Sequence, residues 1–151
     1  MRGTRKKFER ELYNRFDGPA KDAIKNHLIA KGHDDKVVVP PENYGADLYS
    51  VLGGLKFYHE AEVSQGWKEG EHPYPRGSIP ERKTRLIHML DGRPLYFWML
   101  RLDLQRALVF SAVHCIDRYL VEVPNRKVPS GEFFYRVPKT LGKEFDLLCP
   151  T

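Results

Sequence analysis

The sequence predicts an α/β (α+β) domain in which a central mixed β-sheet is flanked by helices. Three patterns lead there. The N-terminal region repeats apolar residues at helical spacing; the next region alternates in strand fashion around a Gly53-Gly54 turn; two strongly apolar runs, near Leu95 and Ala107, have the composition of central strands. At 151 residues, 41% of them hydrophobic and 12% aromatic, the chain suits a single domain over 1–151 with a core that needs no disulfide staples.

In chain order, Phe8, Leu12 and Phe16 recur every fourth residue with Tyr13 beside them. Gly18-Pro19 breaks or restarts the helix, and Ala20, Ala23, Ile24 and Leu28 carry the pattern to about Lys31, with Gly32 as a stop. Glu9 falls inside the apolar arc of the first part, a placement from which a glutamate either reaches a site or pairs with a nearby base. Lys36 to Val39 reads as a short strand closed by Pro40-Pro41. Asp47 to Val51 and Leu55 to Val63 form a hairpin, which sets Asp47 close to the far end of the second strand.

On that second strand Lys56, Tyr58, Glu60 and Glu62 share one face, and His59 points to the other as a packed histidine. Two carboxylates so placed raise each other's pKa unless a cation stands between them, and with Asp47 converging on the same end the expected cation is a divalent metal. The solvent-facing alternative, a wet strand face, is opposed by Tyr58 beside them.

Gly66 to Gly77 reads as a loop carrying Trp67, His72, Tyr74 and Arg76, with His72 open to either a ligand role or none. Ser78-Ile79-Pro80-Glu81 has the form of a capping box and predicts a helix from about Ile79 to Leu90. Lys83 then lies within an apolar stripe with Ile79, Leu86, Ile87 and Leu90, either snorkelling or reaching the carboxylates, while Arg82 is free to face phosphate. Pro94 to Leu102, Ala107 to Val113, Tyr119 to Val123 and Phe133 to Val137 complete the strands, all expected in one sheet.

The net charge of +5 is concentrated: residues 1 to 31 hold nine Lys and Arg against four Asp and Glu, and 9 − 4 is the whole excess. Such an end can follow a phosphate backbone or simply be a solvated helix face. Cys115 and Cys149 have no metal-type spacing, which points to a reducing, cytoplasmic setting. The longest apolar run, Leu95 to Leu100, is too short for a bilayer, and no signal peptide or membrane anchor is expected. The six histidines form no zinc-type arrangement.

Phe8-Glu9-Arg10-Glu11-Leu12 on a first helix, Asp47 before a hairpin and Glu60-Ala61-Glu62 on the next strand together resemble the restriction-endonuclease-like, or PD-(D/E)xK, nuclease superfamily over about residues 5 to 90. The first helix is similar to that of archaeal Holliday-junction resolvases. Glu62 stands where the usual pattern has lysine, as in the E-x-E variant, and Ala46 stands where proline usually precedes the aspartate.

The resemblance implies a restriction-endonuclease-like core and a metal-dependent DNA endonuclease using Mg²⁺, with Mn²⁺ able to substitute. It also implies that Asp47, Glu60 and the Ala61 carbonyl hold the metal. Glu62 would orient or deprotonate water or ligate a second metal, Lys83 would replace the strand lysine, and Glu9 would contribute from outside. A non-catalytic nucleic-acid-binding module on the same fold is the alternative. A glycosidase using Glu60 and Glu62 is disfavoured, because neighbours on one strand cannot flank a bond from both sides. Cutting both strands of DNA commonly takes two sites, which leaves a homodimer open.

Overall fold

A computed structural model describes residues 18–34, 47–83, 86–87, 93–125 and 128–149. The expected first helical stretch with Glu9, and the expected strand at Lys36 to Val39, lie outside these residues. Helix α1 runs Gly18–Ala30, with Pro19 in its first turn, where a missing N–H leaves no intrahelical bond unmade. It ends as anticipated at Gly32, whose φ of 98° permits the His33 N–H to reach the Leu28 carbonyl at 3.0 Å while its own N–H reaches Ile29 at 3.0 Å.

The strands are β1 (Leu48–Leu52), β2 (Leu55–Val63), β3 (Arg76–Pro80), β4 (Leu95–Leu100), β5 (Arg106–Ser111), β6 (Leu120–Asn125), β7 (Val128–Pro138) and β8 (Lys143–Asp146). Five of them form a mixed sheet in the order β1-β2-β4-β5-β8, in which β2 and β4 are the parallel pair and the others antiparallel. The β1–β2 hairpin turns on Gly53 and Gly54, both at positive φ (58° and 80°), the left-handed pair that a tight two-residue turn demands.

The mixed sheet is covered on both faces, which is why its central strands read as unbroken apolar runs. Ala20, Ile24 and Leu28 of α1 pack on Leu48, Trp98, Leu100 and Ala107. On the opposite face Phe97, Met99, Leu108 and Phe110 meet Ile79, Tyr135 and Val137. Those last residues belong to a second, three-stranded sheet of order β3-β7-β6. The expectation of one sheet is therefore corrected: β6 and β7 leave the mixed sheet and form a layer over it, and β8, too polar to stand out as a strand, takes the edge position beside β5.

The helix expected from Ile79 is also corrected. Ser78 and Ile79 are strand residues opposite Arg136 and Tyr135, and only a short 3-10 turn, Glu81–Lys83, follows. The capping-box pattern loses here because β3 is an edge strand, where Pro80 is tolerated, and because burying Ile79 against the mixed sheet requires extended backbone. Leu86 and Ile87 are helical. Among the described residues no helix is long and apolar enough to cross a membrane.

The segment between β2 and β3 is pinned in place. Trp67 is fully buried, donates from Nε1 to the Gly70 carbonyl at 3.0 Å and lies edge-on to His72, which is itself buried with Nδ1 3.0 Å from the Tyr74 carbonyl oxygen. His72 is thus a packing residue. Its N–H donates to Glu144, which also takes Arg106 at 2.6 Å and Lys139 at 3.0 Å; burial pushes the Glu144 carboxyl upward, but these donors hold it below its usual range.

Beneath α1, His59 is buried as the sequence implied. The Trp98 indole can only donate, and its Nε1 lies 3.0 Å from His59 Nδ1, so Nδ1 accepts and Nε2 carries the proton, donating to Ser50 Oγ at 2.8 Å. Burial, with a smaller contribution from His33, pushes His59 down to about 3.

Two predictions follow from the packing. A Cβ added at Gly77 would lie 2.3 Å from Phe110 Cε2, so Gly77→Ala should lower stability to urea by about 2–3 kcal/mol, and adding Phe110→Leu should recover part of the loss. For His59, the unfolded chain takes up a proton near pH 6.5 and the folded one only near 3, so stability falls with pH across that window. Its share is roughly 2 kcal/mol between pH 7 and 5. His59→Gln should remove that share from the urea-measured pH dependence, leaving the weaker contributions of His27, His33 and His72, which burial lowers in the same direction.

Candidate functional site

The hairpin register, Leu48 opposite His59, continues one step to set Asp47 opposite Glu60. There the two residues lock reciprocally. The Asp47 N–H donates to Glu60 Oε2 at 3.0 Å, and the Ala61 N–H donates to Asp47 Oδ2 at 2.8 Å. Tyr58 and Ser64 direct their N–H groups to Pro94 and Leu100 on the β4 side, so by strand alternation Ala61 directs its own toward β1. On that side the Asp47 carboxylate, just before β1 begins at Leu48, supplies the acceptor for Ala61.

Two lysines meet these carboxylates from different layers. Lys83, in the turn after β3, places Nζ 2.6 Å from Glu60 Oε1, both groups being largely buried. Lys21, on α1, places Nζ 3.7 Å from Asp47 Oδ1. Glu60, Glu62, Lys83, Ile79, Pro80 and Met99 contribute to the wall of a cavity of about 10 Å³, roughly the space of one water. Burial among these groups raises the Glu60 pKa above its ordinary value; the nearby Lys83 charge opposes this, and Asp47 adds to it.

Of the residues singled out from sequence, Asp47, Glu60 and Lys83 are brought together. Lys83 arrives from a 3-10 turn, not from the stripe of a helix. Glu62 is exposed on the same face of β2, and Glu9 lies outside the described residues. Arg82 stands half-exposed with Nη1 3.9 Å from Glu132. Lys21 was not anticipated; its only signal was a position beside the Ala20–Ile24–Leu28 stripe, at the edge of the buried face.

Among the described residues, no three His, Cys, Asp or Glu side chains gather as metal ligands. A pair of carboxylates is nonetheless a donor set that suits Mg²⁺, which commonly takes one or two carboxylates and fills its shell with water and phosphate oxygens. Asp47 and Glu60 are the residues that would hold it. Comparison with protein families, curated proteins and solved structures gives no match.

Removing the ammonium from this cluster would leave Glu60 buried without its cation. Lys83→Met should lower stability to urea by about 2–3 kcal/mol at pH 8, where Glu60 must be charged in the unfolded chain. The folded-state pKa of Glu60 is already raised and rises further without Lys83, so the folded variant holds a proton that the unfolded chain has released; stability is retained at low pH and lost as pH rises. The gap between variant and wild type should therefore shrink on going from pH 8 to pH 5.

Proposed function

We propose that the chain is a metal-dependent DNA endonuclease of the restriction-endonuclease-like kind. The observation that carries the reading is the convergence of Asp47, Glu60 and Lys83 from three separate segments, with Lys83 Nζ 2.6 Å from Glu60. A lysine beside a carboxylate pair is the constellation that hydrolysis of a phosphodiester calls for, since negative charge must be held near a negative substrate. The topology supports the same reading: a hairpin carries the acids, and its second strand pairs in parallel with β4 after a long crossover.

When bound, Mg²⁺ would lower the pKa of the attacking water and offset charge on the phosphate. The chain's own residues do the rest. Asp47 is fixed by the Ala61 N–H, and Glu60 by the Asp47 N–H, so neither carboxylate has to be ordered when substrate arrives. Glu62, exposed on the same face of the strand, would orient or deprotonate that water or ligate a second metal. Lys83 is a compact cation that would stabilise charge building on the phosphate oxygens, and its charge opposes the burial that raises the Glu60 pKa.

The second reading, a nucleic-acid-binding module that does not cut, has one observation in its favour: both Glu60 oxygens already have donors, Lys83 on Oε1 and the Asp47 N–H on Oε2. Supercoiled, linear, single-stranded and branched DNA incubated with Mg²⁺ or Mn²⁺ separates the two. Wild type should cut, and chelation should stop it. Glu60→Gln and Asp47→Asn should each lower the rate by at least about 100-fold, and Lys83→Met by at least about tenfold. Absence of metal-dependent cutting, or cutting unchanged in Glu60→Gln, sinks the enzyme reading.

A further inference from the structure

The face of β2 that bears Glu60 continues away from the carboxylates as a strip of aromatic and basic side chains. Tyr58 lies two residues before Glu60 and so on the same side of the sheet; Tyr49 lies opposite Tyr58 across the hairpin, and Lys56 lies opposite Val51. The tyrosine rings are 5.9 Å apart and inclined at 47°. Lys56 Nζ stands 4.7 Å from the centre of the Tyr49 ring, and Arg93 Nη1 donates to Tyr58 Oη at 3.0 Å. Among the described residues, these charged groups in contact with the two tyrosines are cations, and both are exposed, whereas the rings themselves are half-buried.

We propose that this strip seats an unpaired DNA strand and guides it to the Asp47, Glu60 and Lys83 cluster. The proposal rests on the nuclease reading for its choice of nucleic acid. A cross-strand tyrosine pair is by itself an ordinary stabiliser of a hairpin. What it does not account for is a cation over the Tyr49 ring and a second on the Tyr58 hydroxyl, at the sheet edge, on the face that leads to a buried acid. Aromatic faces with interleaved cations are the surface on which bases stack while phosphates are neutralised, and stacking requires bases released from a duplex. From Lys56 to Glu60 is about 13 Å along the strand, the length of about four stacked nucleotides. A base on Tyr49 would take the position of the Lys56 ammonium, which on its flexible stem would swing to a phosphate.

The test measures binding by fluorescence anisotropy, in EDTA so that nothing is cut, of a labelled single-stranded DNA 12-mer and of an abasic strand of the same length and charge. Wild type should bind the base-bearing strand about tenfold more tightly than the abasic one. Tyr49→Leu, which keeps an apolar side chain at the site, should bind both strands at the abasic level, and Tyr49→Phe should behave as wild type. Equal affinity of wild type for the two strands, or an equal loss on both strands in Tyr49→Leu, overturns the proposal. Since no metal or cleavage enters this assay, its failure leaves the nuclease reading standing, and a failure to cut DNA leaves the base preference measurable.

Discussion

The reciprocal bonding of Asp47 and Glu60 is the constraint on which the site depends. Each residue uses a side-chain oxygen to satisfy a backbone N–H next to the other, so the carboxylates are held by the same bonds that finish the hairpin. A slip of one residue in the β1–β2 register would move Glu60 to the α1 face and exchange it with His59, whose bonds to Ser50 and Trp98 could not then form. The register is thus specified twice, once by each face of β2. The Gly53-Gly54 turn fixes it a third time from the opposite end.

Covering both faces of the mixed sheet gives these carboxylates their electrostatic character. A wet face would leave Glu60 as an ordinary surface acid. The three-stranded layer instead leaves Glu60 largely buried, with room for about one water beside it, and that burial raises its pKa while the Lys83 charge opposes the rise. On the other face the same burial acts with opposite sense on a base: His59 is driven down to about 3 and remains neutral. One strand therefore carries adjacent residues whose burial favours a neutral form in each case, and at Glu60 the Lys83 charge opposes that effect.

Much of this was legible in the sequence. Alternation along Leu55 to Val63 assigned Glu60 and His59 to opposite faces, the glycine pair gave the hairpin, and the hairpin brought Asp47 to Glu60. Lys83 stood out as a charge among apolar neighbours, which held although the helix argument that exposed it did not. The 3.6-residue spacing of Ile79, Leu86 and Ile87 reflected a common buried core reached by a strand, a turn and a helical residue pair in succession, and periodicity cannot distinguish these over so few residues. The split into two sheets was illegible for a similar reason. Apolar alternation shows that β6 and β7 bury a face, not which layer they bury it against, and Lys21 was hidden because a lysine at the edge of a helix stripe looks like any solvated one.

The position of Lys83 makes the second sheet part of the site. A lysine on β2 itself would be held within the mixed sheet, by β1 and β4. Lys83 is instead placed by β3, whose path is set by pairing with β7 and by Gly77, where the Phe110 ring leaves no room for a side chain. The ammonium reaches Glu60 only while β3 stays docked on the mixed sheet through Ile79. Stability of the outer layer and charge balance in the site are consequently one property: loosening β3 would both hydrate Glu60 and withdraw its cation. The Nζ thus arrives 2.6 Å from Glu60 Oε1 from a neighbouring layer of the fold and not from the strand that carries the acid.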